Sequence, residues 1–584
     1  MIFRSASRAR RKARVAHLRA SSRVLRSLAL LVALAAPGVL PAAARAQSDA
    51  RPQVVPALAA PMSVGDALVL DPEHEAGAAA PNAGKADAAA PQRRSRRRPA
   101  RRTTTRAPAR PVVRATTPRS ADALTTDLGT MVGLATRSGR WGAMVVSLTR
   151  GDTLFSLNAG ESLVPASTHK LYTAALALDR LGPDHRFSTD VLRSGEVGPD
   201  GTLQGSLIIR GDGDPALSSR WHRGTPSAPM DALARQVAAA GIKRVKGDVI
   251  GDATAFESQT VPEGWLTRYL GAGYAARVSA LSLNENVVSI VAAPGKGKGP
   301  AVVVFEPATT TLKLVNRTRT VPGSRSARIS AVRRADGVVE ARGWIGSRSA
   351  ARGYLLVVDD PAMFTTGAFR AALEKQGVVV EGQTRVGTTP DSAEKIAALV
   401  SPPVSHLVSV MNRESINHYA ELLFRNAVRG KAREGTGTAA AGNEMLARYL
   451  EANAGVPSGI VHASDGSGLS TLDRTTPRAM IKLLAHGHDA PWRSQFHASL
   501  PVAGESETLR HRMRYTPAAG NLHAKTGTTN EVIGLAGYVT ATNGEVLAFT
   551  FLYNGTDRWN ARGMMDTMGA TMSALVRPLY DRNS

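Results

Sequence analysis

Three short stretches of this 584-residue chain combine a hydroxyl with an amine or an amide at chemically useful spacing. The first is Ser167-Thr168-His169-Lys170. A serine hydroxyl is a poor nucleophile until a base takes its proton, and a lysine buried among apolar neighbours can lose enough basicity to be that base. The second is Ser415-Ile416-Asn417, where a hydroxyl could pass a proton to a departing amine and an amide could hold both edges of a peptide bond. The third is Lys525-Thr526-Gly527-Thr528. A fixed ammonium and a hydroxyl on a strand edge suit a carboxylate, and Gly527 would let a ligand backbone approach closely.

The flanking sequence says which elements would carry these groups. Behind Pro165 and Ser167, Leu171, Ala174, Ala175, Leu178 and Leu181 repeat at offsets of three and four, one buried face of a helix. Ser167 and Lys170 then lie one turn apart on the same side. A second match to the spacing, Ser392 to Lys395, has only a short apolar run before Pro402 and Pro403. The middle motif interrupts a helical stretch from Val404 to Arg429, and its decoys, Ser156 to Asn158 and Ser282 to Asn284, lie before the Ser167 helix and in a strand-like run. Lys525 falls on a predicted strand.

The amino-terminal end reads as an address and a tether. Residues 1–46 hold a basic segment, an apolar run from Leu28 to Leu40 and the small-x-small pattern Ala44-Arg45-Ala46, the marks of a cleaved export signal. The apolar run is short for a membrane span, and no later stretch reaches the length a span requires. Residues 47–118, rich in Ala, Pro and Arg, have little apolar periodicity and are expected to be a disordered linker. Of the net +26, about +9 remains for the chain beyond Arg119, so the basicity belongs mostly to the tails. In an exported protein the arginine-rich arm would rarely meet nucleic acid; it reads first as a solvated linker, and otherwise as a partner of an anionic envelope polymer or lipid headgroups. Cysteine is absent, so neither disulfides nor thiolate metal sites are available.

Beyond the linker the pattern is α/β. A helix over 120–137, strands at Trp141 to Leu148 and Thr153 to Leu157, and the Ser167 helix form a first part, 119–190. Strands at Leu522 to Lys525, Ile533 to Val539 and Val546 to Tyr553, followed by a methionine-rich helix, belong to a second part, 401–584. The first and last helices would cover one face of a shared antiparallel sheet. Between them, residues 191–400 alternate short β-like runs (Ser206 to Ile209, Val245 to Ile250, Val302 to Phe305, Thr311 to Val315, Ala327 to Val332, Tyr354 to Val358) with turns, and Met363 to Gln376 reads as a helix. This is an inserted strand-rich domain or pair of domains.

Taken in order, the three motifs resemble the set found in class A β-lactamases and penicillin-binding proteins. With the large insert between the first two, the chain is similar to the D-alanyl-D-alanine carboxypeptidase/endopeptidase family of low-molecular-mass class C penicillin-binding proteins. Ile416 departs from the aspartate usual at the middle of the second motif. Residues 211–215 (Gly-Asp-Gly-Asp-Pro), 279–286 (Ser-Ala-Leu-Ser-Leu-Asn-Glu-Asn) and 465–470 (Asp-Gly-Ser-Gly-Leu-Ser) also look like that family. The resemblance implies a serine β-lactamase/transpeptidase-like fold, peptidoglycan stem peptides as substrates, β-lactams as inhibitors, and an exported, periplasmic or cell-envelope enzyme without metal or cofactor.

It also implies roles. Ser167 would attack the penultimate D-alanine carbonyl, Lys170 would accept its proton, and the backbone N–H groups of Ser167 and Thr528 would hold the oxyanion. Ser415 and Lys525 would protonate the leaving amine, Asn417 would hold the substrate amide, and Thr526 with Lys525 would bind the terminal carboxylate. Asp252 and Glu257 of the insert are candidates for contact with the stem peptide or plain surface carboxylates. A serine β-lactamase and a non-catalytic envelope scaffold are the rival readings. Oligomeric state is not legible.

Overall fold

The computed structural model describes residues 113–578, and the expected export signal and most of the expected linker lie outside them. The linker's expected end at Pro118 needs correction. Residues 113–118 lie against the folded body: Val113 packs on the core, the Thr116 N–H donates to Thr571 Oγ1 at 3.1 Å, and Val576 N–H donates to the Pro118 carbonyl at 3.1 Å. One apolar residue and two paired backbone groups dock a segment whose composition alone gives no hint of it.

The first and last parts of the described chain share a five-stranded antiparallel sheet in the order His523–Thr528, Val532–Thr540, Val546–Asn554, Arg140–Ser147, Thr153–Leu157. Alternation decides its two faces. Val145, Leu535, Phe549 and Phe551 point to one side, under the helices Ala121–Ala135 and Arg558–Ser573, where Leu124, Leu128, Met131, Met565 and Met568 close the layer. Met144, Ala536, Tyr538 and Ala548 point to the other, under the helix Lys170–Leu181 and the helix Pro477–Asp489. Burying that many side chains at about 25 cal/mol per Å² is what fixes the sheet between its helices. Among the described residues, no helix is long and apolar enough to cross a membrane.

Between these parts the chain builds separate sheets. The strand Ser188–Ser194 pairs with Ser206–Arg210 and Glu394–Val400, so the change of sheet falls just before Ser188. Parallel pairs join Ser206–Arg210 to Val249–Asp252 and Val249–Asp252 to Thr384–Val386, and helices Ala228–Ala239 and Pro361–Lys375 cover this sheet. Three-stranded sheets follow from the strands between Val287 and Val357.

Several expectations for the insert change. The helix Ala228–Ala239 escaped the strand-rich reading. The expected run Val245 to Ile250 is two strands broken at Gly247, where a Cβ would sit 2.5 Å from Ser206 Oγ. The strand expected at Thr311 starts at Leu314, because Thr309 and Thr310 bond to the helix Pro361–Lys375 instead. Ser282 to Asn284 leads into a buried left-handed turn rather than a strand.

Candidate active site

The three motifs meet at the edge of the five-stranded sheet. Ala166–His169 forms a 3-10 turn that runs into the helix Lys170–Leu181, and Ser167 caps nothing with its side chain. The hydroxyl is thus free to face Lys170, whose Nζ stands 3.0 Å from Ser167 Oγ. Ala166, the residue before, is held at φ 47°, a left-handed conformation costly for a residue with a Cβ. The carbonyl of Ala166 lies against Gly468, whose own Cβ would fall 2.0 Å from that oxygen, so the strained turn is clamped from outside.

Lys170 is fully buried, so its ammonium does not sit in solvent. Its Nζ also donates to Asn417 Oδ1 at 2.6 Å and to the Ser467 carbonyl at 2.7 Å. Burial pulls its pKa down to about 8, against the opposing pull of the Asp465, Glu421 and Asp473 carboxylates. An amine in that range is partly neutral near neutral pH and can take a proton from Ser167. The decoy Lys395 is exposed on the strand Glu394–Val400 and reaches only Asp190, at 3.8 Å.

Ser415 closes the helix Val404–Glu414 at φ 60° and ψ 34°, and Asn417 opens the next helix, Asn417–Arg429. Lys525 Nζ donates to Ser415 Oγ at 2.8 Å and to the Thr526 carbonyl at 2.9 Å. Asn417 departs from the expectation that its amide grips both edges of a substrate peptide. Its oxygen is taken by Lys170 and one N–H goes to the Tyr274 carbonyl at 2.8 Å, which leaves a single N–H for a ligand.

Lys525 also differs from the fixed ammonium expected from sequence. It is fully buried, and burial followed by the neighbouring Lys170 charge pushes its pKa well below that of a free lysine. An arriving carboxylate would reverse that shift. Thr526 is nearly buried beside it, and Thr528 is exposed at the strand's end.

Gly527 is required for a different reason from the one its type suggested. A Cβ there would meet the Pro165 carbonyl at 2.8 Å and Thr168 N at 3.1 Å, and its cross-strand partner Gly534 would meet Thr168 Cγ2 at 2.9 Å. The pair of glycines lets the Ser167 turn lie directly on the sheet, so the close neighbour is the protein's own backbone.

Sequence reasoning quoted residues 465–470 without giving them work. Asp465 is buried and accepts from the N–H groups of Ser467 at 2.8 Å, Gly468 at 2.6 Å and Ser470 at 2.7 Å, and from Trp265 Nε1 at 2.6 Å. This winds the loop so that the Ser467 carbonyl reaches Lys170. Glu421, one helical turn beyond Asn417, accepts from Gly466 N at 3.1 Å and pairs with Arg425 at 2.9 Å. The clustered glycines around one aspartate were the available signal.

Asp252 and Glu257 are built into the scaffold. Asp252 accepts from the Thr254 and Thr389 N–H groups at 2.9 and 2.8 Å, and Glu257 pairs with Arg425 at 3.0 Å and accepts from Ala439 N at 2.8 Å. Both therefore have partners within the scaffold.

Comparison with known proteins fits this geometry. A profile of the D-Ala-D-Ala carboxypeptidase 3 (S13) family matches residues 134–575. The chain belongs to that family. This S13 enzyme is 35% identical over 430 residues to the D-alanyl-D-alanine carboxypeptidase of Actinomadura sp. (strain R39), covering 71% of this chain and 77% of that protein. It is 24% identical over 422 residues to the D-alanyl-D-alanine carboxypeptidase DacB of Haemophilus influenzae, covering 71% and 85% of the two chains. The crystal structure of penicillin binding protein 4 (dacB) from Haemophilus influenzae shares the fold of the S13 enzyme, with a TM-score of 0.63 at 22% identity over 76% of this chain and 97% of that one.

Proposed function

We propose that the enzyme cleaves peptidoglycan stem peptides at the D-alanyl bond as both carboxypeptidase and cross-link endopeptidase, through an acyl-enzyme on Ser167. The observation that carries this reading is the 3.0 Å contact between Ser167 Oγ and the buried, weakly basic Lys170 Nζ. Lys170 takes the hydroxyl proton as Oγ adds to the penultimate carbonyl. Backbone N–H groups of Ser167 and Thr528 hold the oxyanion, each contributing roughly 3 kcal/mol to barrier lowering. Ser415, bonded to Lys525, passes a proton to the departing amine, the remaining Asn417 N–H holds the substrate carbonyl, and Thr526 with Lys525 binds the terminal carboxylate. Water then releases the acyl group, and β-lactams stop the enzyme at the acyl stage. The catalytic half would be residues 119–190 and 401–584, interrupted by an insert at 191–400. Export by residues 1–46 would place it in the envelope, where the arginine-rich arm would hold an anionic polymer.

Mass spectrometry of muropeptides digested with wild type and with Ser167→Ala tests the reading. Release of D-alanine from pentapeptides and loss of cross-linked dimers are expected from wild type only. Cleavage by Ser167→Ala would refute the nucleophile. Rapid turnover of a fluorescent penicillin, in place of stable labelling, would indicate a β-lactamase instead.

A further inference from the structure

The insert touches the candidate site at several points, among them the Tyr274 carbonyl on Asn417 and an arginine beside the Ser415 turn. Arg220 lies in the loop between the strand Ser206–Arg210 and the helix Ala228–Ala239, and its guanidinium grips Glu414 with two bonds, 2.6 and 2.8 Å. Glu414 immediately precedes Ser415, whose left-handed backbone conformation presents the hydroxyl to Lys525. On the other flank, Arg413 pairs with Glu507 at 3.1 Å and Asn412 donates to Ser499 at 2.9 Å. The residues before Ser415 are thus held by two anchors, of which the Arg220 pair comes from the insert, while the Tyr274 carbonyl of the insert holds Asn417 after it.

That loop is itself fixed by a costly piece of backbone. Asn284, Glu285 and Asn286 all have positive φ, at 49°, 56° and 58°, although none is glycine and all are buried. Asn284 bonds the Ser219 N–H at 3.1 Å, the Leu217 carbonyl at 3.0 Å and the Pro226 carbonyl at 2.7 Å, bracketing Arg220 on both sides. Trp221 donates to Tyr419 of the helix Asn417–Arg429 at 2.9 Å. Three successive strained residues persist only where the surroundings over-determine them, and here the result is one arginine's position.

We propose that Arg220 is a positioning residue for the reaction: through its two-pronged pair with Glu414, the insert holds the Ser415 turn against Lys525. The inference rests on the proposed role of Ser415 in proton transfer to the leaving group. A misplaced proton donor slows the chemical step and leaves ground-state binding nearly unchanged.

The test uses the full chain, a short peptide ending in D-Ala-D-Ala and a labelled penicillin, with wild type, Arg220→Ala, Arg220→Lys, Glu414→Gln and the Arg220→Ala/Glu414→Gln double variant. Each alanine or glutamine single variant is expected to lower kcat about tenfold or more with KM within about twofold, and Arg220→Lys to recover part of the loss. The double variant should lose no more than either single one, because both break the same pair. Wild-type kcat in folded Arg220→Ala, or losses that multiply in the double variant, would overturn the proposal. Should Arg220→Ala fail to fold, the near-isosteric Glu414→Gln reads the same contact, and its full activity would be equally decisive. Wild type inert toward peptide and penicillin would defeat the proposed function itself, a result distinguishable from active wild type with unaffected variants.

Discussion

Glu421→Gln is expected to move the alkaline-rising limb of acylation toward acid. In wild type, Lys170 must lose its proton before it can act as base, so penicillin acylation should rise with pH through about 8. Compared with a free lysine at 10.5, this places about a quarter of the molecules in the active state at roughly pH 7.5, instead of about one in a thousand, a difference of about 3 kcal/mol. Glu421 is one of the carboxylates holding that value up. It lies one turn from Asn417 on the same helix face, which puts its charge roughly 8 Å from Nζ. At an effective dielectric of about 20, one charge at that distance is worth about 2 kcal/mol, or about 1.5 pK units. Glutamine keeps the shape and can still accept from Gly466, and Arg425 keeps Glu257 as its partner at 3.0 Å. Burial pushes Glu421's own pKa up to about 7, so its charge is mostly present only above that value. Stopped-flow acylation by a fluorescent penicillin from about pH 5.5 to 10 should show the variant several-fold faster than wild type near pH 7.5, with little gain near pH 6 or pH 9. A limb that stays in place or moves toward alkali would refute the electrostatic account. A wild-type limb near 10 would remove Lys170 as the base.

Other consequences are equally direct. Gly527→Ala should push the Ser167 turn off the strand at a cost of about 1–3 kcal/mol, seen as slower acylation together with a lower Tm; unchanged acylation would show that the close packing on Pro165 is dispensable. Binding of a peptide carboxylate should draw a proton onto Lys525, because the buried amine is weakly basic until a counter-charge arrives; calorimetry in buffers of different ionisation enthalpy at about pH 8 should show net uptake in a Ser167→Ala background, and none would argue against it. His418 is buried without a hydrogen-bond partner, and burial lowers its pKa from 6.5 to about 3. The unfolded chain therefore binds a proton that the folded one refuses between those values, so stability present above 6.5 is lost as pH falls through that window. His418→Phe should flatten this acid limb of a Tm profile, and an unchanged slope would count against the linkage.

Much of this was legible in the chain itself. The apolar period behind Lys170 placed the first motif on a buried helix, the apolar runs at Ile533 and Val546 with a turn between them marked the meander of the sheet, and the flanking helices announced its cover. Those signals are local, set by repeats of 3.6 and 2 residues, and burial reinforces them. The order of the three motifs pointed to one groove.

Tertiary structure alone decided the rest, because the deciding neighbours are far apart in sequence. Gly527 faces Pro165 rather than a ligand, Asn417 spends its oxygen on Lys170, and Ser467 supplies a carbonyl that no motif identifies. Lysine is a cation in any composition count, yet Lys170 and Lys525 are weakened by burial, and Lys525 also by the charge of Lys170. The residue types therefore named the candidate groups, whereas their basicity and aim come from desolvation and from contacts across hundreds of residues, which no spacing rule encodes.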